Sequence, residues 1–174
     1  MNSLPGLNPN FQHDFFHDGC PESDVQRFTP LFQSVWSRVP ESCRKDIIRF
    51  WSNEDTPQIV LSNDKLDDDC RGFVASDGHQ VNYSNAYIRR MVDDEVAMTL
   101  IAHEIAHVWQ HVTGAWQSFD KRFQKPLAEE DVHVILNDWG FDNGNLFVWE
   151  WDNLSEIEKK QIHLSSTTIV NSSF

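Results

Sequence analysis

Two histidines four residues apart, His103 and His107, flank a glutamate, Glu104, in the segment His-Glu-Ile-Ala-His. In an α-helix such residues share one face, about 6 Å apart along the axis, so both imidazoles can bind one Zn²⁺ at roughly 2.0–2.1 Å. A carboxylate one residue after the first histidine lies beside the metal without having to bind it, and can take a proton from a metal-activated water. The segment therefore requires a helix and predicts a zinc site on it.

The residues around this motif predict the helix that it needs. The run 93–112 contains neither Gly nor Pro, and Gly114 follows just beyond its last turn. Three acidic residues, 93–95, place negative charge at the amino-terminal end, where the helix dipole favours it. Apolar residues recur along the run at helical spacing, namely Val96, Leu100, Ile101, Ile105 and Val108.

Composition and charge narrow the class of protein. The chain of 174 residues is 40% hydrophobic, which suits a single domain over residues 1–174 with a core of its own. Its formal net charge of −13 opposes binding to nucleic acid or to an anionic membrane, because both are negatively charged. No apolar run has the length of a signal peptide or membrane span, and the three scattered cysteines fit free thiols. We expect a soluble, cytoplasmic protein without nucleic-acid or membrane partners.

Two helices are predicted in the first third of the chain. The first begins with Thr29 as its N-cap and Pro30 at its first helical position. The second begins at Pro40 and runs to about Trp51, with its apolar residues on one side. Both are expected to be scaffold rather than site.

A strand and a hairpin are predicted between these helices and the motif. The β-prone segment 57–61 is bounded by turn formers and predicts a strand. Asp77-Gly78, the signal of a two-residue turn, stands at the centre of a hairpin over residues 71–83. This turn places Val74 opposite Val81.

Three other segments are expected to be irregular. Residues 1–20 predict an arm that packs locally through its phenylalanines, and in it His13 and His17 favour a solvated or satisfied pair over a metal site. The acidic run 64–69 lacks the Gly and the distal Glu of an EF-hand loop, which favours a solvated loop. The Ser/Thr-rich tail 165–174 is expected to be mobile.

After the motif, a helix is predicted over residues 126–139, ended by Gly140. Asn143-Gly144 predicts a turn, and the aromatic segment 146–151 predicts a strand or a packed extended segment. Residues 154–163 predict a short polar helix.

A catalytic zinc usually has three protein ligands and one open position, so a third ligand is needed. The cluster Glu129-Glu130-Asp131 on the helix after the motif offers it. At about 100° per residue, Glu129 and Asp131 border the two edges of the apolar side, whereas Glu130 points away. We rank Glu129 first, Asp131 second and Glu130 third. His111 lies about 12 Å along the axis from His103, too far to share one ion on a straight helix.

The motif and the later glutamate together resemble the gluzincins, the glutamate-ligand branch of the zincin metallopeptidases. The resemblance covers residues 57–140, and the chain is similar in size to minimal single-domain members. It implies an α+β, zincin-like fold in which a small mixed sheet with a hairpin packs on the motif helix, beside a second ligand-bearing helix. It also implies zinc ligation by His103 and His107, general base catalysis by Glu104, and a substrate strand added along the hairpin edge.

These observations predict a zinc metallopeptidase that hydrolyses peptide bonds in a peptide or protein substrate, with Zn²⁺ as its cofactor. The alternative is a non-catalytic or regulatory zinc-binding protein of the same fold, which would not need the carboxylate of Glu104. A protease that clears proteins crosslinked to DNA shares the motif, but the acidic charge opposes that function. The sequence leaves the oligomeric state open.

The predicted reaction needs a hydrogen-bond donor for the oxyanion besides zinc. Four polar residues are close enough in sequence to be candidates, and a structural hydrogen bond is the competing role for each. They are Tyr83, Tyr87, His111 and His133.

Overall fold

The computed structural model describes residues 15–52, 59–63 and 72–153. The chain divides into two compact units, Met1–Asn143 and Gly144–Phe174. Helices and strands both contribute, as the predicted α+β class requires. In chain order the described elements are β1 Phe15–Asp18, α1 Glu22–Arg38, α2 Glu41–Trp51, β2 Ile59–Ser62, β3 Gly72–Val74, β4 Val81–Ser84, α3 Asn85–Arg90, α4 Asp94–Thr113, α5 Ala115–Ser118, α6 Gln124–Asp138 and α7 Asn143–Asn153.

The four described strands form one small mixed sheet in the order β1-β2-β4-β3. β1 pairs with β2 and β2 with β4 in parallel, whereas β3 and β4 are antiparallel. The expectation of an irregular arm is wrong for its last part, because Phe15 pairs with Ile59 in a regular ladder. His17 lies in the same strand, which rules out the helical spacing that a shared metal with His13 would need.

The predicted hairpin is confirmed in its register and corrected in its turn. Val74 pairs with Val81, as the sequence predicts. The ladder ends where the amide of Ala75 donates to the carbonyl of Gln80, and the amide of Gly78 donates back to Ala75. The loop is therefore four residues long, 76–79, rather than two. Gly78 adopts φ +81°, so its left-handed conformation shapes a wider loop than the expected two-residue turn.

Helix α1 begins seven residues before the predicted start at Thr29. The hydroxyl of Thr29 donates to the carbonyl of Val25 at 2.8 Å, so Thr29 lies inside the helix instead of capping it. Pro30, which lacks an amide proton, is also internal. The helix continues through this proline because tertiary burial of the apolar face outweighs one lost hydrogen bond. Helix α2 and strand β2 agree with their predictions.

Helix α4 is the centre of the first unit and packs against α1, α2, α5, α6 and the hairpin strands β3 and β4. Residues 96–102 of this helix are all buried. On the α1–α2 side, the rings of Phe28, Phe32, Trp36 and Trp51 form a series with centroids 5.9 to 6.4 Å apart. Each ring buried in this way contributes about 1.5–3 kcal/mol. This aromatic layer belongs to the two helices that pack on α4 from this side, and Phe28 also meets Tyr83 of β4 with ring centroids 5.3 Å apart.

The last two described helices show one success and one error of the sequence prediction. Helix α6 includes the predicted range up to Asp138, and Gly140 follows it with φ +78°. The turn at Asn143-Gly144 and the strand over 146–151 are wrong, because both lie in α7. β-propensity measures the fit to a pleated, paired surface, and no described strand pairs with this segment. A helix instead satisfies its backbone polar groups within the segment itself.

Several predictions fall outside the described residues. These are His13 and the rest of the arm before residue 15, the start of the predicted strand at 57–58, the acidic run 64–69, the helix over 154–163 and the tail 165–174. In the parts of the chain that the structure covers, every helix is too short or too polar to cross a membrane.

Candidate metal centre

Helix α4 presents His103 and His107 on one face, and local signals define both of its ends. The Asp93 carboxylate accepts a hydrogen bond from the amide of Glu95 at 2.8 Å, and Gly114 ends the helix with φ +75°. The side chains of the two histidines are 17% and 12% exposed. Their ring centroids are 4.9 Å apart, so the two imidazoles border the same space.

Helix α6 brings Glu129 to both histidines. Its Oε2 lies 3.2 Å from Nε2 of His103, and its Oε1 lies 3.6 Å from Nε2 of His107. One ligand atom from each of the three residues lies within 4.8 Å of the others. Ala128, just before Glu129, and Val132, three residues after it, are fully buried. Their packing sets the rotation of α6 that turns Glu129 toward the motif.

The two other candidates for the third ligand lie elsewhere. Glu130 is exposed on the outer side of α6. Asp131 accepts a hydrogen bond at 2.9 Å from the side-chain amide of Gln110 on α4. Among the described residues, the group that could hold a metal ion consists of His103, His107 and Glu129.

The charges in this group favour a cation. Hydrogen bonds from His103 and His107 hold the pKa of the Glu129 carboxyl well below its usual range. Burial lowers the pKa of His107, but the Glu129 and Glu104 carboxylates outweigh burial and raise it. Positive charge between the three side chains is therefore stabilised, whether protons or a metal ion supply it.

The ligand chemistry fits zinc. Two imidazoles and one carboxylate are the ligand set of one class of catalytic zinc site, in which the fourth position stays open. The three donors come from two helices that pack against each other, and all three side chains are partly buried. His103, His107 and Glu129 therefore have the chemistry and the convergence that a zinc site requires.

Glu104 lies between the motif helix and the hairpin. The residue is 6% exposed. A Cβ added at Gly72 would lie 2.9 Å from Cγ and 3.0 Å from Cδ of Glu104, so the backbone of β3 passes directly against this side chain. The absence of a side chain at Gly72 leaves the space that the carboxyl group occupies. The charge of Glu104 also helps to raise the pKa of His107.

Two of the four proposed oxyanion donors are held by contacts of their own. Tyr83 is fully buried, and its hydroxyl donates to the carbonyl of Ile101 at 3.0 Å. Burial and the Glu104 charge raise the pKa of Tyr83 well above its usual value, so it remains a neutral donor. His133 is exposed, and its ring contacts the side-chain amide of Asn143.

The other two candidates have aromatic or cationic neighbours. The ring of His111 stacks on Trp116 with centroids 5.1 Å apart, and Trp116 meets His107 edge-on at 6.3 Å. Burial, followed by the charge of His107, lowers the pKa of His111. The guanidinium of Arg90 lies over the ring of Tyr87. His111 is therefore the candidate that shares a neighbour with the metal group.

Sequence reasoning missed Gln110, which is fully buried one turn after His107. Its Oε1 lies 2.9 Å from His107 Nδ1, and its Nε2 bonds to α6. The available signal was its spacing, because residues three apart in a helix are neighbours on the surface. A glutamine at this spacing from a proposed ligand could have been tested as its hydrogen-bond partner.

Neither the protein-family models, nor the curated proteins, nor the solved structures compared with this chain give a match.

Proposed function

We propose that this protein is a zinc-dependent metallopeptidase of the zincin type, similar to the gluzincins. The observation that supports this proposal is the convergence of His103, His107 and Glu129. Glu104 adds to it, since this buried carboxylate follows the first histidine without belonging to the ligand group. A metal that only stabilised the fold would need the three ligands but not Glu104.

In this proposal His103 and His107 hold zinc through their Nε2 atoms and Glu129 through a carboxylate oxygen. When bound, zinc supplies Lewis acidity, which polarises a peptide carbonyl and makes a water acidic near pH 7. Glu104 receives the proton of the attacking water on a carboxylate oxygen and returns it to the nitrogen of the leaving amine. Because Glu104 is 6% exposed, its carboxylate exchanges protons with the reacting groups rather than with bulk water.

The proposed substrate is a peptide that lies beside β3 as an added strand. β3 is the last strand of the described sheet, and Gly72 in this strand lies against Glu104. A peptide paired with β3 would therefore pass next to the base. Main-chain pairing binds extended peptides with little dependence on their sequence. Phe73, which is 41% exposed, would offer an apolar contact.

The test of this function compares three variants on unstructured proteins and peptide pools. Glu104→Gln keeps the shape of the side chain and removes the base, so it should retain zinc and lose about 10²- to 10⁴-fold in rate. His103→Ala should lose the metal and the activity together. Glu130→Gln makes the same chemical change on an exposed neighbour of Glu129, and should keep both.

Two outcomes would contradict the proposal. Equal hydrolysis by the wild type and by Glu104→Gln would show that Glu104 is not the base. Retention of zinc by both, with no zinc-dependent cleavage of any substrate offered, would favour the non-catalytic or regulatory alternative.

A further inference from the structure

Gln110 makes polar contacts in two directions from a position with no solvent exposure. Its Nε2 lies 2.8 Å from the carbonyl oxygen of Ala128 and 2.9 Å from Oδ2 of Asp131, both on α6. Its Oε1 lies 2.9 Å from Nδ1 of His107 on its own helix. A buried amide with partners for both of its ends contributes to stability, and it also restricts the groups that it contacts.

These contacts determine which way the amide of Gln110 points. A backbone carbonyl can only accept a hydrogen bond, so the group facing Ala128 must be the NH₂ end. Oδ2 of Asp131 also accepts a hydrogen bond from this end and favours the same orientation. The oxygen of Gln110 therefore faces His107, and because this oxygen can only accept, Nδ1 of His107 must carry a proton.

The tautomer of His107 follows from this orientation. A neutral imidazole has one proton, so a proton on Nδ1 leaves the lone pair on Nε2. The doubly protonated ring can donate from Nε2 to Glu129 as well as from Nδ1 to Gln110. Nε2 lies 3.6 Å from Glu129 Oε1, farther than the 2.9 Å between Nδ1 and Gln110 Oε1, so the singly protonated ring keeps its proton on Nδ1 and leaves Nε2 free to bind the metal. His103 differs, since its buried Nδ1 has no hydrogen-bond partner among the residues that the structure describes. Gln110 thus orients one of the two histidines and not the other.

The same amide also positions the third ligand. Ala128, whose carbonyl accepts from Gln110, directly precedes Glu129, and Asp131 lies two residues after it. Both bonds join α4 to α6 at the level of the ligand group. Rotation of α6 away from the motif helix would have to break both bonds.

We propose that Gln110, oriented by Asp131 and the Ala128 carbonyl, is a positioning residue that prepares the metal site before the metal binds. It holds His107 in the Nδ1–H tautomer and holds Glu129 against the motif helix. The inference rests on the proposed function for its purpose, but the tautomer is a property of the metal-free chain. Such partners of metal ligands typically change metal affinity by about 10- to 100-fold.

The direct test is the tautomer of His107, measured by nitrogen-15 NMR of the imidazole in the metal-free wild-type protein at alkaline pH. The proposal expects a protonated Nδ1 and an unprotonated Nε2. The opposite tautomer, or an even mixture of the two, would overturn it. This measurement needs neither zinc nor a variant that folds.

The second test is zinc affinity, measured by competition with a chelator. Gln110→Leu fills the same space without the amide and should bind zinc about 10- to 100-fold more weakly. The matched control is Gln124→Leu, which removes a half-buried amide at the start of α6, one that donates to the carbonyl of Trp116 at 2.7 Å. The control should stay within about twofold of the wild type. Equal affinities of Gln110→Leu and the wild type would overturn the proposal.

A variant on the other helix covers the case in which Gln110→Leu does not fold. Asp131→Ala removes one of the two acceptors at a half-buried position, and should cost about 3- to 10-fold in zinc affinity because the Ala128 carbonyl remains. Glu130→Ala, next to it and exposed, should cost nothing measurable. Equal zinc affinities of these two variants would contradict the positioning role of Gln110 and Asp131. Neither readout uses a substrate, so a protein that binds zinc in this way and cleaves nothing would contradict only the proposed activity.

Discussion

At the scale of single residues, Glu129 and Glu130 are chemically identical neighbours that face different surroundings. The Glu129 carboxylate lies 3.2 Å from His103 and 3.6 Å from His107, whereas Glu130 faces solvent. Glu129→Ala should weaken zinc binding by more than about 100-fold, because removal of a ligand costs more than removal of a ligand's partner. Glu130→Ala should leave the affinity unchanged. A competition titration measures both, and an equal loss for the two variants would show that Glu129 is not a ligand.

Protons compete with the metal for His107. Its pKa is raised, so in the metal-free protein it keeps its second proton to a higher pH than the usual value of about 6.5. Protonated His107 therefore stabilises the folded, metal-free protein. This stabilisation is fully present below the pKa that His107 has in the unfolded chain, and it is lost as pH rises through the pKa of His107 in the folded chain. Zinc needs the neutral imidazole, so zinc affinity should rise over that same interval. The Glu129 carboxyl, with its lowered pKa, stays ionised throughout it.

Chelator competition at pH 8, 7 and 6 measures this effect. Zinc affinity should fall by up to about tenfold per pH unit for each proton displaced, beginning above pH 6.5. Glu130→Gln should show the same slope as the wild type, since it changes an exposed charge on the outer side of α6. An affinity that stays constant from pH 8 to pH 6 would contradict the assignment of His107 as a ligand.

At the scale of elements, the hairpin loop is held between α2 and α4 through Gly78. The indole of Trp51 donates to the carbonyl of Gly78 at 3.1 Å. A Cβ at Gly78 would lie 2.5 Å from both Cβ and Cγ of His111, and the Cβ of His111 cannot move without the helix backbone. The contact fixes where the hairpin meets the motif helix, and so where β3 passes Glu104.

Substitution of this glycine should therefore destabilise the protein by more than its backbone conformation alone predicts. Gly78→Ala should lower the free energy of unfolding by about 2–4 kcal/mol, from its positive φ and from the overlap with His111. Gly140 has a similar φ of +78° and nothing within 4 Å of an added Cβ. Gly140→Ala should cost only about 1–2 kcal/mol. Urea denaturation compares the two, and an equal loss would refute the close contact.

At the scale of the whole molecule, the proposed metal links two helices of the first unit and should stabilise the fold. If zinc binds only the native state, a free zinc concentration of 100 times the dissociation constant adds about 2.7 kcal/mol to the free energy of unfolding. For a chain of this length, that corresponds to a rise in Tm of about 5–10 °C. Thermal unfolding with and without excess zinc measures the shift, and elemental analysis should find close to one zinc per chain. His103→Ala serves as the control and should show no shift, whereas an unshifted wild type would contradict the site.

The features that the sequence predicted correctly depend on neighbours in the chain. Helix α4 could be predicted from the acidic residues 93–95 at its start, apolar residues at helical spacing and Gly114 beyond the last turn. The pairing of Val74 with Val81 followed from the position of a turn signal between them. That Glu129 faces the motif helix and Glu130 faces solvent followed from helical rotation, because successive residues point about 100° apart.

The features that needed the tertiary structure depend on residues far apart in the chain. Phe15 becomes a strand residue because Ile59 lies beside it, and α1 continues through Pro30 because its apolar face is buried. Gln110 of α4 contacts Ala128 and Asp131 of α6, which lie 18 and 21 residues later in the sequence. Spacing along a helix predicts which side chains share a face. The packing of a second helix decides which of them meet, since it depends on every side chain buried between the two.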